Sequence, residues 1–143
     1  MLKYSFHLLL ALNTLQFPGA LLSVGCHSTT IIKDSLDVAT NEWKGTSYNS
    51  RIKGDLKFCG KTGTSQVRRI SQRQRELDIK NKDLPWKFRD HSLFTGYGPV
   101  SNPEYAISVI IDHGGSGSSK AAPIAKKVMQ KVFELYYPKG TNA

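Results

Sequence analysis

The residues whose types could do chemistry cluster around Lys61, in Gly60-Lys61-Thr62-Gly63-Thr64-Ser65. Two patterns compete there. A phosphate-binding loop needs G-x-x-x-x-G-K-[ST]; Gly60-Lys61-Thr62 fits its end, but Gly54 lies one residue too far upstream. The intervening Asp55-Leu56-Lys57-Phe58-Cys59 is bulky and strand-like, whereas such a loop must wrap backbone N–H groups around phosphates. The alternative is Lys61-Thr62-Gly63 as the edge of a strand. The tripeptide is short and weak alone. Its context gives it weight: an apolar strand and a glycine before it, Thr64-Ser65 after it, and further strands and a helix downstream.

Other combinations are poorer. Ser50-Arg51-Ile52-Lys53 has the S-x-x-K spacing of serine–lysine catalysis, and Ser47-Tyr48-Asn49 has that of S-x-N. A three-residue offset brings two side chains together only on a helix. The segment GTSYNSRIKGD has two glycines, many turn formers and no helical stripe, so both matches are read as coincidental. His7, His27, His91 and His113 have no i, i+4 pairing, and neither they nor Cys26 and Cys59 have metal-ligand spacing. No metal and no cofactor is expected. His91 and His113 are read as structural, Cys59 as a small buried hydrophobe, and Trp43 and Trp86 as packing anchors. Asp90 and Glu104 form no recognisable acid/base pair.

These residues must be positioned by a small frame. The chain has 143 residues, which bounds it to one domain. A hydrophobic content of 39% with 22% charged residues excludes disordered and collagenous classes. Twenty Lys+Arg against 11 Asp+Glu give a net charge of +9, which raises nucleic acid as a partner. Eight of those bases lie in VRRISQRQRELDIKNKDLPWKFRD, but four acids are mixed among them and no aromatic residues alternate with the bases. The segment is read as a solvated connection between strands, and nucleic-acid binding is disfavoured. A basic surface also suits an anionic membrane or wall polymer.

The first 26 residues look signal-like: Lys3, an apolar run from Phe6 to Leu12, then small residues before Cys26. The run is short, and Asn13, Thr14, Gln16 and Pro18 interrupt the stretch after it, so residues 1–30 are left as an unassigned leader. From Ile31 to Trp43, the positions Ile32, Leu36, Ala39 and Trp43 make one helical stripe, ended by Gly45. Strands are expected from Leu56 through the Lys61 segment, at Leu93–Tyr97 and at Tyr105–Ile111. The last two make a hairpin across a short polar link. A glycine-rich run, 114–117, closes the sheet. A final helix begins between Ser118 and Pro123, with Ile124, Val128, Val132 and Leu135 as its stripe. This order predicts an α+β fold: a three-stranded antiparallel sheet, with an N-terminal-side helix and a C-terminal helix on one face.

Four stretches, NEWKGTSY, KFCGKTGTSQV, PWKFRDHSLFTGYGP and NPEYAISVIIDHGGSGSSKAAPIAKKV, together resemble the C-terminal part of the penicillin-binding transpeptidase domain. The likeness is to class B, the penicillin-binding protein 2-like enzymes. It runs from about Ile32 to Phe133, within a domain taken as 31–137 and followed by a tail, 138–143. The resemblance implies a partial transpeptidase/β-lactamase-like fold and a role in peptidoglycan cross-linking. It implies that Lys61 charges the cleft wall and assists proton transfer, and that Thr64 gives its N–H to an oxyanion hole. Thr62, Gly63 and Ser65 would bind substrate: the Thr62 hydroxyl at the terminal carboxylate of a stem peptide or of a β-lactam, Gly63 by admitting the acyl group.

The family also needs a serine nucleophile with its lysine on a helix, then S-x-N, far upstream of K-T-G. Here the look-alike motifs are reversed in order, adjacent, and only a few residues before Lys61. No nucleophile is therefore assigned. The chain reads as a C-terminal fragment, inactive alone, from a truncated or split gene, with a separately encoded N-terminal half as a candidate partner. The resemblance implies the outer, periplasmic face of the cytoplasmic membrane. An uncovered apolar surface and marginal stability are expected from the missing half.

Overall fold

A computed structural model describes residues 6–12, 26–69 and 80–137 of the chain. Residues 1–5 and 13–25 of the leader, the middle of the basic connection (70–79) and the tail lie outside the described residues, and with them most of the signal-like stretch.

The three expected strands form one antiparallel ladder. With β1 at Phe6–Leu12, they are β2 (Cys59–Ser65), β3 (His91–Gly98) and β4 (Tyr105–Ile111). The order across the sheet is β1-β4-β3-β2, so β2 is an outer strand. β4 alternates between buried Tyr105, Ile107, Val109 and Ile111 and more exposed residues, as a strand with one covered face must. β1 was not expected as a strand; it pairs antiparallel with β4 from Phe6↔Ile111 to Leu12↔Tyr105. Its near-continuous apolar run carries no periodicity that separates strand from helix, which is why the sequence left it unassigned.

Helix α1 spans Cys26–Asn41 and α2 spans Ala121–Tyr136. α2 begins inside the expected window, and Pro123 sits in its first turn, where no intrahelical N–H is needed. It lies on the β3–β4 face. Ala121, Ala125, Met129, Val132 and Phe133 pack with Phe58, Phe94, Ile107 and Val109 to form the core. The expected stripe is therefore shifted: Ile124 and Val128 are only partly buried, and Leu135 is 63% exposed. Small Ala121, Ala122 and Ala125 face the sheet because they let the helix axis approach it. A stripe drawn through the largest residues misses that.

α1 meets the body of the protein at β2 through its C-terminal end. Gly45 comes after it as expected, and the chain turns there: the Gly45 N–H donates to the Glu42 carbonyl and the Ser47 N–H to that of Ala39. The stripe expected to be buried is covered only in its middle, where Leu36 and Ala39 are partly buried. Ile32 is 59% exposed and Trp43, read as an anchor, is 71% exposed, because only Thr40 and its neighbours reach the sheet. Among the described residues, no helix is long and apolar enough to cross a membrane.

The described part of the basic connection is more structured than a solvated link. Two short 3-10 turns, Asn81–Asp83 and Trp86–Phe88, are tied down by Arg89, whose guanidinium donates to the Leu84 and Lys82 carbonyls. Asn81 bridges to Asp90 through both its amide atoms.

Candidate functional site

The site is an open strand edge. β2 pairs with β3 only on one side, with Gly60↔Gly96, Thr62↔Phe94 and Thr64↔Ser92 in register. The two backbone polar groups of Gly60 are engaged on the other side, by a helix side chain. Its N–H donates to Thr40 Oγ1 at 3.0 Å, and the Thr40 hydroxyl donates to its carbonyl at 2.9 Å. In an antiparallel ladder alternate residues face the same side. The N–H and C=O groups of Thr62 and Thr64 therefore project outward, beyond the segment that α1 covers.

Lys61, Thr62, Gly63, Thr64 and Ser65 all lie on this one strand, and all are exposed or half-buried. The Lys61 Nζ donates to the Thr62 carbonyl at 3.0 Å, so the cation sits over the outward-facing backbone. The Thr62 hydroxyl donates to Thr46 Oγ1 at 3.2 Å, from the turn after α1. One positive charge, the hydroxyls of Thr62, Thr64 and Ser65, and the outward N–H groups of Thr62 and Thr64, which have no partner among the described residues, thus line a single edge. That arrangement can bind an extended peptide as an added strand and hold a carboxylate or developing oxyanion beside Lys61.

Three supports of this edge were not singled out from sequence. Thr40 anchors its first residue. Gly117, from the glycine-rich loop, packs directly on its middle: a Cβ there would come 2.5 Å from the Gly63 carbonyl oxygen and 2.5 Å from that of Leu93. Ser92, opposite Thr64, is fully buried; its hydroxyl donates to the Ser116 carbonyl and accepts from the Ala121 N–H, joining strand, loop and helix start. A serine and a threonine in such positions look like ordinary strand and helix residues in sequence. Only the glycine-rich composition of 114–117 was a signal.

The serine–lysine look-alikes have a different geometry. Tyr48–Ser50 is a single 3-10 turn that ends at Ser50, which is 2% exposed, whereas Lys53 is solvent-exposed. Ser47 is buried, and its Oγ has no hydrogen-bond partner among the described residues. Cys59 is buried with its thiol pushed up to about 11, chiefly by burial, so it is protonated at neutral pH. Burial likewise raises the Tyr97 phenol beside it. Among the described residues there is no cluster of three His, Cys, Asp or Glu that could hold a metal. His91 and His113, read as structural, are in contact with each other at the end of the sheet, next to Ser65.

Residues 23–130 match the family model described as the penicillin binding protein transpeptidase domain. The chain belongs to the penicillin-binding transpeptidase family. Among relatives, it is 31% identical over 104 residues to the peptidoglycan D,D-transpeptidase MrdA of Salmonella typhimurium, covering 73% of this chain and 16% of that protein. It is 35% identical over 98 residues to MrdA of Haemophilus influenzae, covering 68% and 15%. A solved complex between the penicillin-binding protein PBP2 and MreC from Helicobacter pylori matches with a TM-score of 0.65 and 28% identity, over 80% of this chain and 19% of that one. The transpeptidase domain of FtsI4 from Legionella pneumophila matches with a TM-score of 0.56 and 25% identity, over 75% and 35%. The chain is thus a PBP2-like transpeptidase-domain fragment that spans about a sixth of the MrdA relatives' length.

Proposed function

We propose that this chain supplies the substrate-binding strand of a D,D-transpeptidase of peptidoglycan cross-linking and is not catalytic alone. The observation that carries the proposal is the outward row of backbone groups at Thr62 and Thr64 with Lys61 folded over it. In this reading a stem peptide, or a β-lactam in its place, lies along the edge. The Thr62 hydroxyl takes its carboxylate, Gly63 leaves room for the acyl group, and Ser65 extends the binding row. The Thr64 N–H stabilises the oxyanion, a contribution typically worth about 3 kcal/mol. Lys61 contributes positive charge and assists proton transfer at the reacting serine, which another polypeptide segment carries. The buried Ser50 and exposed Lys53 support that division, since they share no helical face. Removing such a nucleophile costs about a millionfold in turnover.

A second reading is favoured by α1 and the turn after it, where Ile31, Ile32, Val38 and Trp43 are all more than half exposed. Here the chain is the complementing subunit of a split transpeptidase, and this apolar surface meets the half that bears the serine. The relative solved with MreC supports protein partners for such domains. Either reading puts the chain at the outer face of the bacterial cytoplasmic membrane, where its relatives' substrate lies.

Intact-mass analysis after incubation with penicillin, with circular dichroism of the same sample, tests this. A folded chain without an adduct is expected, as is an adduct on the serine-bearing half when the two are mixed, lost with Lys61→Ala. A single stable adduct on this chain alone would overturn the claim of inactivity. Steeply salt-dependent nucleic-acid binding with no β-lactam affinity in the mixture would overturn both readings.

A further inference from the structure

At the end of the sheet, His91 Nδ1 has two partners that require opposite protonation states. The His113 backbone N–H donates to it at 3.0 Å, which needs a bare nitrogen. Asp112 Oδ1 lies 3.4 Å from the same atom, a contact that becomes a charge-assisted hydrogen bond only when Nδ1 carries a proton. One nitrogen cannot serve both. We propose that His91 is a proton-operated latch on the turn after β4: neutral, it holds the His113 amide; protonated, it turns to Asp112 and releases it.

The surroundings make this toggle one-sided. His113 has φ +54°, a backbone state costly for a side-chain-bearing residue, so the turn depends on its tethers. Its own ring does not compete. Its Nδ1 donates to the Arg89 carbonyl at 2.8 Å, a bond that survives protonation of the ring. Around His91, the described charged groups are few. Asp112 comes directly after β4, the His113 ring lies 4.8 Å away and against Trp86, and β2 presents uncharged Ser65 opposite. On its own segment, the Asp90 carboxylate is bound to Asn81, and the Arg89 guanidinium to backbone carbonyls. Charge on His91 is thus drawn to Asp112 and repelled by a charged His113.

The turn leads straight to the candidate edge. Gly115 donates to the Asp90 carbonyl, and two residues later Gly117 packs on Gly63. Releasing His113 on protonation of His91 loosens the loop that backs the Lys61–Ser65 strand. The functional consequence rests on the proposed role of that strand; the latch itself does not.

NMR of the full chain between pH 8 and 5 tests the latch without any substrate. At pH 8 the His91 ring should carry its proton on Nε2. On acidification the His113 amide should shift with the same midpoint as the His91 ring and lose protection from exchange at least tenfold, with Gly117 and Gly63 changing in step. In His91→Asn, whose Oδ1 can accept the same N–H at every pH, that response should vanish. A neutral His91 ring protonated on Nδ1, or a His113 amide unmoved while the His91 ring titrates, overturns the proposal whether or not the variant folds. If the latch works but the mixed halves bind penicillin equally at pH 8 and 5, the link to the edge fails and the latch stands.

Discussion

A single hydroxyl, that of Thr40, closes on both backbone polar groups of Gly60, accepting from the N–H at 3.0 Å and donating to the carbonyl at 2.9 Å. A helix side chain thereby takes the place of a neighbouring strand at the first residue of the edge, and Asn41 does the same for the Phe58 carbonyl at 3.1 Å. Where this cover ends, the open edge begins.

Thr40→Val keeps the side-chain shape and strands two buried backbone groups. Unmade buried hydrogen bonds cost about 1–3 kcal/mol each, so a loss of about 2–6 kcal/mol is expected in urea denaturation. Thr40→Ser should retain most of the stability. A Thr40→Val protein as stable as the parent would mean that water replaces the hydroxyl without penalty.

Gly117→Ala sets a methyl group 2.5 Å from the Gly63 and Leu93 carbonyl oxygens, which are backbone and cannot swing away. Gly115→Ala has φ +83° but nothing within 4 Å, so it bears only the backbone strain, about 1 kcal/mol. Thermal unfolding should therefore show the larger drop for Gly117→Ala. Only that variant should shift the backbone resonances of Lys61–Ser65.

Met129 is fully buried in the core, and Leu135, on the same helix, is 63% exposed. Met129→Ala should cost about 2–5 kcal/mol, whereas Leu135→Ala should fall within about 0.5 kcal/mol of the parent. Equal losses would restore the stripe drawn through Leu135.

The Cys59 thiol, held near 11 by burial, should resist thiol reagents at pH 8 in the folded chain and react at once in denaturant. A Cys26→Ser background isolates its signal. Because the folded-state value is raised above the reference 9.0, its contribution to stability is intact below pH 9 and is lost as pH rises toward 11. Rapid labelling of the native protein at pH 8 would contradict the burial.

Much of the frame was legible because local chemistry and final environment agree. Tyr105–Ile111 reads as a strand from its β-branched run and is one with the same bounds. Pro123 fixes the start of α2, and Gly45 marks the turn after α1. What misled was residue size. In α2 the alanines, not the large residues, set the buried face, and in α1 Thr40 reaches the sheet while Trp43, just past its end, points to water. Those outcomes depend on how closely two backbones approach, which periodicity does not encode. The tripeptide at 61–63 was found by type. Which of its backbone groups face outward is set by the register with β3, a pairing of residues some thirty apart that local pattern does not encode.

The outer position of β2 also bears on how copies of this chain treat one another. A strand with outward-facing backbone groups can accept another strand of the same kind as readily as a peptide, and growth from such a rim leads to aggregates. Thr40 blocks one residue of it; beyond that, the Lys61 charge is what two such rims would have to bring together. Like charges on opposed edges repel, so the lysine that suits an anionic guest also discourages self-pairing, and salt, which screens that repulsion, should be the condition under which the purified chain first associates.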